Sequence, residues 1–214
     1  MIGRSEKPEE IDEARRDAFY RAKSRALEQV LGPMHEMVGH AIIGVHVGGN
    51  VHMYYYQQTL AGTCFATKEF VEPDGTGPKR SRIGLYELVA FTRLAKPASG
   101  AGPERERTPF DLIERRMCAI FSILWGYAKE HALNPGETCE VPLKDDDIAA
   151  VIFDDYKGKE EFWIEGRKYG LLLCIQVFPS ELIFAQQRGT GALVERLKQA
   201  GHFPYSDLDR APVV

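Results

Sequence analysis

Cysteine is scarce and scattered in this chain: Cys64, Cys118, Cys139 and Cys174 include no C-x-x-C pair. Structural zinc modules take their ligands in close pairs, so a zinc ribbon or finger is not expected. The opening MIGRSEKPEE has no apolar core of the kind that directs secretion, and a cytoplasmic protein with four free thiols is the expectation. No hydrophobic run approaches the length that crosses a membrane; the longest, around Leu171 to Ile175, has the length of a strand. Basic charge is not in excess either. With 27 Lys and Arg against 31 Asp and Glu, the chain lacks the clustered cations that phosphate contacts need, which argues against nucleic acid as a partner. There is no G-x-S-x-G elbow, no Walker loop and no G-x-G-x-x-G after a strand. Internal repeats and low-complexity tracts are missing too.

What is present suits a globular domain. A chain of 214 residues buries roughly 70% of its unfolded surface without covalent staples. Residues 5 to 31 are expected to be helical, with acids early (Glu9, Glu10, Asp12, Glu13) and bases later (Arg21, Lys23, Arg25), as the helix dipole favours. Its apolar stripe reads Ile11, Ala14, Ala18, Ala22, Ala26, Val30, with the remaining faces solvated, and Gly32-Pro33 ends it. Residues 1–33 are thus an N-terminal helix that forms one globular unit with a domain over 34–214. Alternation from Ala41 to Tyr56 about Gly48-Gly49-Asn50 predicts a hairpin, and strands are expected at Thr63–Val71 and Tyr86–Leu94. The stretch from Lys96 to Thr108 reads as a mobile loop. Thr108-Pro109 opens the clearest helix, running to His131. A strand over Thr138–Leu143, an acid-capped segment from Asp145 to Phe153, and strands at Phe162–Ile164 and Tyr169–Phe178 complete the body. Without a regular β-α-β rhythm, the fold class is α+β, a mixed β-sheet packed by helices.

Candidate chemistry is sparse. His35-Glu36-x-x-x-His40 looks like a zincin motif, but its second histidine comes five residues on, about 140° round a helix from the first. His46 and His52 would face each other across the hairpin; with His35 and His40 they make one alternative to a binding protein, a metal-dependent hydrolase, and a scaffold or oligomerising module is a third reading. No cofactor is expected. Charge stands out instead: Glu137 to Glu161 holds nine acids against three lysines, a local charge of −6. Such a face is either a solvated surface or a landing site for a basic partner. A sheet edge beside it could accept a partner strand through main-chain groups alone.

The most informative run is IQVFPSELIFAQQRGTGALVERLKQAG, Ile175 to Gly201. It reads as a buried strand, a stop at Pro179, a Ser180 cap, and two short helices broken at Gly189 and Gly191. This run resembles the closing half of the suppressor of fused domain. Gly84-Leu85-Tyr86-Glu87-Leu88-Val89 is similar to that family's Glu-Leu strand, and Ile120 to Tyr127 with Pro135-Gly136-Glu137 and Pro142-Leu143 to its helix, turn and Pro-Leu. Asp207-Leu-Asp209-Arg210 looks like its closing Asp-x-x-Arg. The resemblance spans about residues 40 to 210.

It implies a suppressor of fused-like domain that is no enzyme and acts on a protein or peptide partner. Animal members carry a second domain and sequester Gli-type transcription factors, holding a short peptide in strand fashion. Single-domain bacterial members are often assigned as immunity proteins, so the resemblance implies an immunity or regulatory protein whose partner is a basic toxin or regulator. Tyr127 matches a helix tyrosine near the family's peptide groove and Glu137 the acid of its turn, here Glu in place of Asp. Together with Glu140, Asp145, Asp146 and Asp147 they form the expected partner-binding set.

Overall fold

The computed structural model describes residues 13–39, 51–57, 60–97, 107–144, 146–157 and 162–214. The element order is α1 (Glu13–Leu31), β1 (Tyr54–Tyr56), β2 (Thr63–Ala66), β3 (Leu85–Thr92), α2 (Pro109–Ala128), β4 (Thr138–Pro142), β5 (Ile148–Asp155), β6 (Phe162–Ile164), β7 (Arg167–Val177), α3 (Pro179–Arg188) and α4 (Thr190–Gln199). The strands form one mixed sheet in the order β1-β2-β3-β7-β5-β4, with β6 paired to the start of β7. The β3–β7 pair is parallel and the others antiparallel. Long β3 and β7 run through the middle and are buried almost throughout, because helices cover both faces of the sheet.

Each face has its own core. Phe65, Leu88, Val151 and Cys174 point to the side closed by α2, through Met117, Phe121 and Trp125. Val89, Ile152, Leu173 and Ile175 point to the other, closed by α1, α3 and α4 through Leu27, Leu182 and Leu193. The α+β expectation is met, and the alternation along Val51, Met53 and Tyr55 is seen as predicted, all three in the α2-side core. The rest of the expected hairpin, residues 41–50, and most of the 96–108 loop lie outside the described residues.

Local chemistry sets most boundaries. Thr108 caps α2: its hydroxyl accepts from the Asp111 N–H at 3.2 Å, and the Asp111 carboxylate accepts from the Thr108 N–H at 2.7 Å, with Pro109 at the first helical position. The helix stops at Ala128 rather than His131, the next residues forming a turn on the Tyr127 carbonyl. The segment after Asp145 is a strand, Ile148–Asp155, because its β-branched and aromatic core fills the gap between β4 and β7. Ser180 is not the cap of α3. Pro179 takes the first helical position, so the cap falls on Phe178, whose N–H is held by the Glu181 carboxylate at 3.0 Å. Only Gly189, at φ 89°, breaks the two closing helices; Gly191 lies within α4.

Helix α1 departs furthest from expectation. Its buried face is Phe19, Lys23, Ala26, Leu27, Val30 and Leu31, while Ala14 and Ala18 are exposed. Lys23 is wholly buried rather than solvated. Its ammonium pairs with the Glu87 carboxylate and donates to the Val71 carbonyl at 2.8 Å, beneath the rings of Phe19 and Tyr169. Glu87 in turn accepts from the Thr67 hydroxyl and the N–H groups of Phe70 and Val71. A buried ion pair survives only when its remaining valences are filled in this way.

Candidate protein-interaction edge

The main run of the sheet ends in β1 and β4, and among the described residues β1 alone of these two is covered. Residues 34–39 run along β1 in extended form: His35 N–H donates to the Tyr55 carbonyl at 2.8 Å, and Gly39 exchanges bonds with Met53 at 2.8 and 2.9 Å. Gly39 allows this close approach, since a Cβ there would sit 2.5 Å from the Tyr55 hydroxyl. On the opposite margin no described segment pairs with β4.

The β4–β5 ladder fixes which groups of β4 are free. Phe153 N–H donates to Glu137, and Leu143 N–H donates to Asp147, so with the register Cys139↔Val151 and Val141↔Ala149 the odd residues bond to β5. Alternation then turns the main-chain groups of Thr138 and Glu140 outward. Pro142, next in that row, has a carbonyl but no N–H, which limits how far another strand can extend. Side chains alternate the other way: Val141 enters the α2-side core, while Glu140 and Pro142 are exposed.

Helix α3 flanks this edge. A shallow groove of about 440 Å³ is lined by Gly136, Thr138, Ala185, Gln186 and Thr190, and the Thr190 hydroxyl closes its floor on the Gly136 carbonyl at 2.7 Å. Ile183, one turn before Gln186, is 53% exposed, and Ile148, opposite Pro142, is 54% exposed. The edge thus offers main-chain groups, a groove and two isoleucines beside acidic side chains.

The acidic residues divide by role. Glu140 and Asp146 are exposed. Glu137 turns back on its own loop, accepting from the N–H and the side-chain amide of Asn134 at 3.0 and 2.8 Å. Asp147 is gripped by both terminal nitrogens of Arg116 on α2; those hydrogen bonds hold its carboxyl below the usual carboxylate range. Tyr127, 47% exposed on the last turn of α2, stacks on His131 with ring centres 4.5 Å apart. Asp145 lies outside the described residues.

No protein-family model and no curated protein sequence matches the chain. Solved structures do. A suppressor of fused homolog from Neisseria gonorrhoeae superposes with a TM-score of 0.57 over 92% of this chain and 98% of that one, at 12% identity. A chain of the Sufu–Fu complex superposes with a TM-score of 0.52 over 92% and 91%, at 14% identity. This chain has the suppressor of fused fold.

Within that fold, the closing motif that resembles the family is structural. Arg210 clasps Glu181 through two nitrogens at 2.6 and 2.8 Å, both side chains almost fully buried. Burial raises the Glu181 carboxyl, but Arg210 and the N–H groups of Phe178 and Val213 outweigh it and hold the group low. Asp207 accepts from the Thr92 hydroxyl and the Arg93 N–H, stitching the tail to the end of β3.

The metal-dependent hydrolase reading is not supported. His35 lies in the extended segment along β1, not on a helix, and its Nδ1 accepts from the Met37 N–H at 3.0 Å. His40 and His46 lie outside the described residues, as does any pairing of His46 with His52. Among the described residues no three His, Cys, Asp or Glu side chains are grouped to hold a metal. Burial pushes all four thiols up, most strongly Cys64 and Cys174, which makes them poor nucleophiles. No described helix is long and apolar enough to cross a membrane.

Two features escaped the residue pattern: the Arg116–Asp147 clamp and the buried Lys23–Glu87 pair. The second had a signal, since Lys23 sits four residues from both Phe19 and Leu27 on one helical face.

Proposed function

We propose that this chain is a non-enzymatic protein-binding domain that receives an extended, basic segment of a protein partner along β4 as an added strand. The observation that carries this reading is the asymmetry of the sheet margins: among the described residues β1 is covered and β4 is open. An open edge supplies affinity through main-chain groups, and the flanking surface supplies selectivity. The exposed Glu140 and Asp146 attract a basic segment and speed its association. Glu137 and Asp147 act at the two ends of β4, the first shaping its entry and the second holding its exit turn against α2. Asp145 adds charge to that turn, and Tyr127 with His131 offers an aromatic contact at the end of α2. The solved complex of Sufu with Fu supports a protein as the partner class. Sequestration of a basic toxin or regulator, in an immunity or regulatory role, is the use that this acidic, open edge suits.

Glu140 separates the two contributions. Its N–H faces away from β5, so Glu140→Pro removes an outward donor and leaves the β4–β5 ladder intact, while Glu140→Ala removes only charge. With a partner isolated by affinity capture, biosensor kinetics should show about a tenfold faster dissociation for Glu140→Pro, the scale of one lost main-chain bond. Glu140→Ala should instead slow association and weaken its salt dependence. Unchanged affinity of the proline variant would refute strand addition at β4.

A further inference from the structure

A second cavity, of about 350 Å³, lies between the start of α1, the 72–77 loop and the end of α2. Arg16, Glu72, Asp74, Trp125 and Lys129 line it. Two cations and two carboxylates therefore face one small volume, yet none of the four is ion-paired with another. Trp125 is nine-tenths buried, and its indole N–H has no hydrogen-bond partner. Lys129 lies over the Trp125 ring, 4.7 Å from its centre, and Phe70 packs against that ring at 5.1 Å. Tyr20 of α1 lies close enough to Glu72 to bear on its carboxyl, and the Asp74 carboxylate accepts from the N–H and hydroxyl of Thr76.

Glu72 is half-buried and Trp125 buried, while Arg16, Asp74 and Lys129 reach solvent around the cavity; opposed charges set about one concave site suit a polar ligand. A purely anionic ligand would meet Glu72 and Asp74, and a purely cationic one Arg16 and Lys129. Only a molecule carrying both charges satisfies the two walls together. We propose that this cavity is a binding site for a small zwitterion of the α-amino-acid class. Its carboxylate is taken by Arg16 and Lys129 beside the Trp125 ring, its ammonium by Glu72 and Asp74. The site is separate from the β4 edge, and because Tyr20 reaches Glu72, its occupancy also fastens α1 to the body.

Trp125 is one of two tryptophans, so its indole resonance in a 15N-labelled sample is easily assigned with Trp163→Phe. The probes are L-leucine, N-acetyl-L-leucine, which lacks the cation, and L-leucinamide, which lacks the anion. L-Leucine should shift the Trp125 indole peak saturably with a Kd of about 10 mM or below, while leaving Trp163 in place. Each single-charge probe should bind at least about tenfold more weakly, the loss of one charge-assisted contact. Lys129→Met, on an exposed helix end, and Glu72→Gln should each weaken L-leucine by a similar factor. No Trp125 shift with L-leucine, or equal shifts with all three probes, would overturn the assignment. So would unchanged binding by Lys129→Met in a sample whose Trp163 peak reports an intact fold.

Discussion

Replacing Glu69 by Gln should change how stability depends on pH. Glu69 is 8% exposed; one carboxylate oxygen accepts from the Tyr54 hydroxyl and the other has no partner. Burial pushes its carboxyl up to about 7 from an ordinary 4.5. The Tyr54 bond works against that rise, Glu87 on β3 adds to it, and Lys68 and Lys23 of α1 oppose it. Since the folded group binds its proton more tightly than the unfolded one, its contribution is complete below pH 4.5 and is lost as pH rises through 7. A displacement of that size amounts to about 3 kcal/mol. Glu72 is raised by burial in the same direction, while Glu181 and Asp147 are lowered and act at more acid pH, so the quantity to compare is the difference between wild type and variant. Urea unfolding from pH 4.5 to 7.5 should show Glu69→Gln gaining on the wild type by about 3 kcal/mol. A difference that stays constant across that window would refute a desolvated Glu69.

Other substitutions test the remaining supports. Arg210→Met strands the buried Glu181 carboxylate and should cost about 3 to 5 kcal/mol in chemical denaturation; a loss below about 1 kcal/mol would show the clasp to be dispensable. Gly62→Ala places a Cβ 2.0 Å from the Thr92 carbonyl at φ +97°, so a loss above about 3 kcal/mol, seen as a sharply lower Tm, is expected. A variant as stable as the wild type would mean that the β1–β2 turn shifts freely. Thr108→Ala removes the α2 cap and should cost about 1 kcal/mol; no change in urea midpoint would assign the stop to Pro109 alone.

Thr108-Pro109, Gly32-Pro33 and the alternation at Val51, Met53 and Tyr55 were readable in the chain because caps, stops and faces depend on residues within a few positions of one another. The same locality explains the errors. Ser180 looked like a cap until Pro179 claimed the first helical position. Lys23 looked solvated because charge is read residue by residue, whereas its partners Glu87 and Val71 lie 64 and 48 positions away. The acidic run was equally plain as a count and equally blind as a surface, since Arg116, 31 positions away on α2, takes up Asp147.

The sequence alone determined the mixed α+β class, most helix and strand positions, the likeness of the closing run to suppressor of fused, and the missing catalytic motifs. Tertiary structure decided which sheet margin is covered among the described residues, which acids are tied to partners within the fold, and that the closing Asp and Arg hold the tail. These depend on pairings such as Thr92 with Asp207, 115 residues apart. No local pattern encodes a contact whose partner is brought up only when the whole sheet has formed.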